Sequence, residues 1–320
     1  MVEFVKISSV EDGTRLLRWF LRHYPGMLQR DFYKLCRGGQ IRINSSRCKG
    51  MEVLTTGDVV RIPPTLQSYQ KSNKIETGEK YSLSDLEELR KCIVHNDDDI
   101  VVFNKPAGLA VQGGTGIKKS VDKMAAALFP YDKISLVHRL DKETSGLLVV
   151  AKNQRAAQDL AKQFQSKIAN KEYLALLNGT VADESGIIDN YVVKGRVFDD
   201  INKIPRDIHP QRAITEYKVL GKATGLLTWI LFSPKTGRTH QLRLHSAYSL
   251  HAPIVGDDLY GITRGNLDGA LGMLLKTQKL FLLAYKITFR HPGSGKTITL
   301  RAELPDFMQS VVKFLEFKLP

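Results

Sequence analysis

The chain has 320 residues, of which 42% are apolar and 25% charged. That composition belongs to a folded globular protein and excludes a disordered or collagen-like chain. Its 47 Lys and Arg against 33 Asp and Glu leave a formal charge of +14, an excess suited to a polyanionic partner such as nucleic acid.

Three cysteines, Cys36, Cys48 and Cys92, share no metal-type spacing, so a reducing compartment without structural disulfides is expected. The N-terminus, Met1-Val2-Glu3-Phe4-Val5-Lys6, lacks an apolar signal-peptide core. No apolar run approaches the ~20 residues of a membrane span. A bacterial-type cytoplasm is expected, with an organelle as the other compartment, and no membrane partner.

Residues 1–63 read as a compact basic module, with eleven Lys and Arg against six acids. Leu16, Leu17, Phe20 and Leu21 recur at helical spacing after the start signal Asp12-Gly13-Thr14. Pro25-Gly26 breaks that helix. A second helix runs from about Gln29, with Phe32, Leu35 and Cys36 on one face, and stops at Gly38-Gly39. Ile41 and Ile43 alternate with Arg42 as in a half-buried strand, and Val59, Val60 and Ile62 form another. Arg30, Lys34 and Arg37 along the second helix, with Arg42 beyond it, would present a basic face to phosphates.

Residues 64–90 read as a linker, opening at Pro63-Pro64 and continuing through Ser68-Tyr69-Gln70-Lys71-Ser72-Asn73-Lys74. Ser84 to Leu89 allows a turn or two of helix.

Residues 91–320 read as one larger domain of mixed helix and strand. Ile93-Val94 and Ile100 to Phe103 flank Asn96-Asp97-Asp98-Asp99, an expected hairpin with a solvated turn. Its acids lack the alternating ligands and distal Glu of a calcium loop. Gly113-Gly114-Thr115-Gly116 suggests a phosphate cradle but lacks a Gly-Lys-Ser/Thr ending. Leu147 to Val150 is an unbroken apolar run, expected as a buried strand. Asn153 to Lys167 has helical periodicity. Lys171 to Leu177, Ile214 to Leu220, Leu226 to Phe232, Leu280 to Phe289 and Thr297 to Leu300 are strand candidates. Ser233 to His245 starts as a turn and becomes a helix, and Asp306 to Phe317 is a final helix capped by Asp306. Strands outnumber helices and rarely alternate with them, so the class is α+β, with a mixed, mostly antiparallel central sheet flanked by helices and a small N-terminal α/β domain.

The candidate reactive groups are His138, Asp141, Tyr173, His240, Arg243 and His245. His240 and His245 lie five apart without a Glu partner, so no metal site is expected. Thr144-Ser145-Gly146 is not a nucleophile elbow, and no cysteine lies near a polar cluster. What remains is a carboxylate in a His- and Arg-rich loop that feeds a buried strand, where neighbouring charges keep it ionised. Such a group serves as nucleophile or charge stabiliser at an anomeric carbon.

His138-Arg139-Leu140-Asp141-Lys142-Glu143-Thr144-Ser145-Gly146-Leu147-Leu148 resembles the signature of the RluA/RluC/RluD-type pseudouridine synthases. Thr236-Gly237-Arg238-Thr239-His240-Gln241-Leu242-Arg243-Leu244-His245 is similar to their second signature. Lys105-Pro106-Ala107-Gly108, Lys171-Glu172-Tyr173-Leu174-Ala175-Leu176 and Gly256-Asp257-Asp258-Leu259-Tyr260-Gly261 resemble three further motifs, in the family's order. Ahead of them, Arg15-Leu16-Leu17, Leu35 to Asn44 and Gly57 to Ile62 resemble the RNA-binding domain named after small-subunit ribosomal protein S-four. Ser45 stands where that domain commonly has glycine. This pairing of domains looks most like the RluC branch.

The resemblance implies the pseudouridine synthase fold and isomerisation of uridine to pseudouridine in large-subunit ribosomal RNA, with base flipping and without a cofactor. It implies Asp141 as the catalytic aspartate, Tyr173 as a proton carrier and Arg243 as the partner holding Asp141's charge. Arg139 would help open the RNA stack and Leu282 would pack by the base; His138, Arg238, His240 and Gln241 are expected to contact RNA. The family often has His where this chain has Leu283. Pre-ribosomal particles are a further expected partner, and a monomer is expected. Transfer RNA as substrate, and a non-catalytic RNA-binding or assembly factor, stay open beside this reading; a metal-dependent RNA hydrolase would need chelator-sensitive cleavage.

Overall fold

The computed structural model describes every residue except 1, 9–10, 25–26, 67–80, 194, 202–203, 205–208, 224, 262–271, 273–274 and 276–278. The helix-breaking Pro25-Gly26 and the polar run from Ser68 to Lys74 lie outside the described residues.

A first apolar core gathers residues between Ile7 and Leu66, with Trp19, Phe20, Tyr24 and Phe32 at its centre. It joins helices α1 (Leu16–His23) and α2 (Gln29–Arg37) to a four-stranded sheet of order β1-β4-β2-β3. Its strands are β1 (Glu3–Lys6), β2 (Arg42–Ile43), β3 (Ser46–Arg47) and β4 (Val59–Ile62). β1 and β3 carry too few apolar residues to stand out in the sequence. The helix start signal is misplaced: Arg15 occupies the cap position and no side chain caps it.

The β2–β3 hairpin turns on Asn44 at φ 47° and Ser45 at φ 67°. Two consecutive left-handed residues are what a type I′ turn demands. Ser45 is tolerated there because Asn44 is locked: its Nδ2 donates to Asp58 Oδ1 (2.7 Å) and its Oδ1 accepts from the Val59 N–H (2.8 Å).

The second, larger core begins at α3 (Leu83–Lys91), where Ser82 and Asp85 form a reciprocal capping box and Leu86 and Leu89 face inward. The end of the stretch read as linker therefore packs into this core. The strands are β5 (Ile93–Asn96), β6 (Ile100–Lys105), β7 (Ser135–Leu136), β8 (Ser145–Ala151), β9 (Asn170–Asn178), β10 (Ser185–Val193), β11 (Arg196–Phe198), β12 (Gln211–Ala223), β13 (Leu227–Pro234), β14 (Leu282–Arg290) and β15 (Thr297–Arg301). They form one sheet of order β11-β10-β12-β13-β9-β14-β8-β6-β5, with β15 on β14 and β7 on β8. Every pairing is antiparallel except β8 with β14. Among the described residues this part also has helices α4 (Val121–Leu128), α5 (Gln154–Gln165), α6 (Gln241–Leu244), which runs on into a wider helical turn at His245–Ser249, and α7 (Asp306–Phe314). Asp306 is the first residue of α7 and not its cap, which is Pro305.

All seven residues of β8 are buried, as an uninterrupted apolar run implies for a strand covered on both faces. The parallel seam puts Ser145 opposite Leu283 and Gly146 opposite Ala284. Gly146 has φ 109°, and a Cβ there would lie 2.3 Å from the Ala284 carbonyl oxygen, so only glycine permits the approach. The seam brings the loop ahead of β8 beside the first residue of β14.

Candidate active site

That loop carries Asp141, which lines a cleft of about 110 Å³ with Arg139, Thr144, Lys171, Tyr173, Arg238, His240, Arg243 and Leu282 among its walls. Four parts of the sheet domain converge here: the loop before β8, β9, the start of β14, and the turn from β13 into α6. Residues more than one hundred positions apart in sequence thus share one wall of the cleft.

Lys105 holds the loop's backbone. It is fully buried, and its ammonium donates to the carbonyls of Pro106, Leu109 and Lys142, each at 2.9 Å. Three donors meet three acceptors, and Lys142 directly follows Asp141. The Gly108 N–H donates to the same Lys142 oxygen at 2.9 Å. Burial drives the Lys105 pKa down to about 7, against the pull of Glu143 and Asp141.

Tyr173 sits in β9, buried between neighbours on β13 and β14. Burial first, then the negative charge of Asp141, push its phenol above the ordinary tyrosine range. A group so placed is a neutral phenol at neutral pH, available to donate a proton.

Arg243 does not pair directly with Asp141 as expected. It lies in α6, 4% exposed, and its Nε and Nη2 donate to the two carboxylate oxygens of Asp257 at 2.8 and 2.6 Å. Nη2 also donates to Asp258 Oδ1 at 3.0 Å, and the guanidinium lies 5.3 Å from the Tyr260 ring centre. Burial works against its charge, yet the Asp257 hydrogen bond and the charges of Asp257, Asp141 and Asp258 together raise its pKa. Asp141 therefore feels Arg243 as a nearby positive charge without being clamped by it.

The ring nearest Asp141 is that of His240, whose Nε2 lies 3.9 Å from Oδ2. His240 has left-handed backbone, φ 54°, and its Nδ1 is 2.9 Å from the Tyr260 hydroxyl. A non-glycine residue in that region marks a locally over-determined turn. Gln241 is a brace: its Nε2 donates to the Ile214 carbonyl and Thr215 Oγ1, and its Oε1 accepts from Thr236 and the Arg238 N–H. It fixes the turn while also lining the cleft. Arg238 Nε donates to the Arg212 carbonyl.

His138 is a correction, because it is not among the residues that line the cleft. Its Nε2 accepts the Val149 N–H at 2.9 Å, and its ring stacks on Phe164. Burial, then the charge of Lys171, lower its pKa to about 3, so it is a neutral structural acceptor that ties the loop to β8. Leu283 is likewise buried in the core and absent from the lining, whereas Leu282 lies on it. His245 Nε2 donates to Asn190 Oδ1 (3.0 Å) inside the fold.

The basic face of α2 is present: Arg30, Lys34 and Arg37 are all exposed. Arg42 is partly spent on the β2–β3 hairpin, donating to the Gly39 and Ser45 carbonyls. The Gly113 N–H does not await a phosphate, since the Asp122 carboxylate accepts it.

The acidic hairpin turn is not simply solvated. Asp97 meets the Nε2 atoms of His95 and His291, each at 2.8 Å, the one group of metal-ligand type among the described residues. His291 Nδ1 accepts the Gly293 and Ser294 N–H groups. That fixes the proton on Nε2, where it donates to Asp97 and leaves no lone pair for a cation.

Asp257, Tyr260, Lys105 and Lys171 support the site and carried no assigned role in the sequence reading. The motifs that contain them were the available signal. Among the described residues no helix is long and apolar enough to cross a membrane.

Residues 99–248 match the family model described as RNA pseudouridylate synthase. The chain is 33% identical over 315 residues to ribosomal large subunit pseudouridine synthase C of Haemophilus influenzae, covering 98% of this chain and 95% of that one. It is 35% identical over 317 residues to the protein of the same name from Vibrio vulnificus, covering 98% and 96%. Among solved structures, human RNA pseudouridylate synthase domain containing 4 superposes with a TM-score of 0.61 at 26% identity, over 73% of this chain and 97% of that one.

Proposed function

The chain belongs to the RNA pseudouridylate synthases, and from that membership we propose that it isomerises specific uridines in large-subunit ribosomal RNA, using Asp141 as its catalytic carboxylate. The substrate follows the printed names of its relatives. The residue roles rest on one observation: Asp141, Tyr173, Arg243 and Leu282 line a single cleft.

In the reaction the N1–C1′ bond breaks, the uracil turns over without leaving, and C5 bonds to C1′. The C5 proton is lost and N1 gains one, so the site needs an ionised carboxylate and a proton carrier. Asp141 acts at the ribose side of the bond, where positive charge develops as N1 departs. Arg243 supplies a fixed positive charge near it. Tyr173, held as a neutral phenol, carries the proton. Leu282 packs against the flipped base.

The uracil must leave its stack, which takes a few kcal/mol. The basic face of α2 and the exposed Arg139 offset that through phosphate contacts and stacking. The N-terminal module is thus the RNA-holding part, and the enzyme works as a monomer on ribosomal RNA or its precursor particles.

The test is tritium release from RNA carrying C5-tritiated uridine. Asp141→Asn should fold normally and release nothing measurable; full release would remove Asp141 from the mechanism. Mapping pseudouridines in cellular RNA with and without the gene identifies the substrate, and loss confined to transfer RNA would overturn the ribosomal assignment.

A further inference from the structure

The acidic turn Asp97-Asp98-Asp99 plays no part in the chemistry, yet its three carboxylates have three separate destinations. Asp97 binds the two histidines described above. Asp99 accepts from Asn153 Nδ2 at 2.8 Å and lies 3.6 Å from Arg155. Asp98 turns the other way, toward the N-terminal module.

Arg18 of α1 places Nη1 2.8 Å from Asp98 Oδ1 and also donates to the Asp98 backbone carbonyl. Its Nε lies 3.3 Å from Asp132 Oδ1. Arg15 Nε adds a longer contact to Asp98 at 3.7 Å. One planar guanidinium therefore spans two carboxylates of the larger domain, a geometry that suits arginine and not lysine.

The charges explain why this contact differs from an ordinary surface pair. Asp132 and Lys152 have side chains 1% and 0% exposed, with Lys152 Nζ 3.3 Å from Asp132 Oδ2. Those two balance each other within the larger domain. Among the described residues, both cations within ion-pair range of Asp98 come from the N-terminal module. Asp98 thus draws its counter-charge from across the domain boundary, and Arg18, the nearer of the two cations, is just 22% exposed there. Exposed pairs contribute little; an arginine lodged against an enclosed acid is costly to remove without its counter-charge.

We propose that the Asp97–Asp99 turn is a docking socket for the N-terminal module, with Arg18 as the inserted key. Docking holds the basic face of α2 in a fixed relation to Asp141. The module then measures from a recognised RNA element to the uridine that enters the cleft, and so selects which uridine is modified. The measuring role rests on the proposed function; the docking does not.

Two variants approach the contact from opposite sides: Arg18→Glu in the small module and Asp98→Lys in the large one. Neither side chain lines the catalytic cleft. Small-angle X-ray scattering of the RNA-free full chain reads docking, and pseudouridine mapping on a long ribosomal transcript reads selectivity. Both variants should show a larger radius of gyration than the parent. Both should modify the target uridine with at least tenfold less preference over other uridines. Fluorescence of the buried Trp19 checks that the small module stays folded in Arg18→Glu, and Asp98→Lys leaves that module's sequence untouched. Scattering curves that superimpose on the parent's would overturn the docking. Expansion with unchanged selectivity would overturn the measuring role. A parent enzyme without activity on any RNA would tell against the proposed function and leave the scattering result standing.

Discussion

Arg243 is gripped by Asp257 through two hydrogen bonds of 2.8 and 2.6 Å, and the grip leaves the carboxylate of Asp141 unclamped beside it. The guanidinium acts on Asp141 through its field. An aspartate free of a bidentate partner can meet a substrate without first leaving a guanidinium. Arg243 in turn cannot wander, because Asp257 is buried with it.

Removing Asp257 should therefore damage the fold and the chemistry together. Asp257→Ala strands a buried cation, which is expected to destabilise the domain by about 3–5 kcal/mol. Denaturant unfolding measures this. Tritium release per folded molecule should also fall, because Arg243 would swing toward Asp141. Unfolding within experimental error of the parent would show that Arg243 finds another partner.

Tyr173→Phe keeps the ring in β9 and deletes only the hydroxyl. Turnover should drop by about 10²–10⁴, the usual worth of a positioned proton carrier, with the melting temperature nearly unchanged. Single-turnover kinetics on a short RNA decide it; a variant as fast as the parent would make Tyr173 a packing residue.

Lys105 gives a pH signature whose sign is fixed. Burial lowers its pKa to about 7, while an unfolded lysine titrates near ~10.4. Between those values the unfolded chain holds a proton that the folded chain lacks. Stability therefore rises with pH across that window, and the burden of the buried charge is full below about pH 7. Lys105→Met has no such titration, so the parent should gain on it from pH 7 to 10 in urea unfolding. Activity should move oppositely. A neutral amine has two donors for three carbonyls, which loosens Lys142 beside Asp141 and lowers turnover on the alkaline side. A pH-independent stability difference would show that Lys105 does not titrate there.

The basic face of α2 should read as electrostatics. Replacing Arg30, Lys34 and Arg37 with Gln should weaken RNA binding and flatten the log–log salt dependence by roughly 0.7–0.9 per lost phosphate contact. Filter binding between low and moderate salt measures the slope. An unchanged slope would place the RNA elsewhere on the chain.

Much of this molecule is legible in its residues. The unbroken run Leu147 to Val150 becomes the buried centre of β8, because a strand covered on both faces needs no polar alternation. Asp141, Tyr173, Arg243 and Leu282 all reach one cleft. Less legible were elements with mixed patterning: β10 interleaves Gly186, Asp189 and Asn190 with its apolar residues, and α4 follows a glycine-rich loop. Partner choice was illegible for a different reason. Nothing along the sequence decides whether Arg243 takes Asp141 or Asp257, or that His138 turns to the Val149 N–H; both depend on how strands from distant positions stack. The acids of the 97–99 turn show the same limit, since the groups that neutralise Asp98 are about eighty residues upstream.

The sheet consists of two antiparallel fans that meet at one short parallel crease, where Gly146 lies against Ala284. β8 and β14 are hydrogen-bonded across that crease, so the two fans are held at a defined spacing. The cleft lies across the crease, with Asp141 carried by one fan and Tyr173 by the other. Its width is therefore set by how tightly the two fans close, and position 146 acts as the spacer that fixes the gap between reactive groups it never touches.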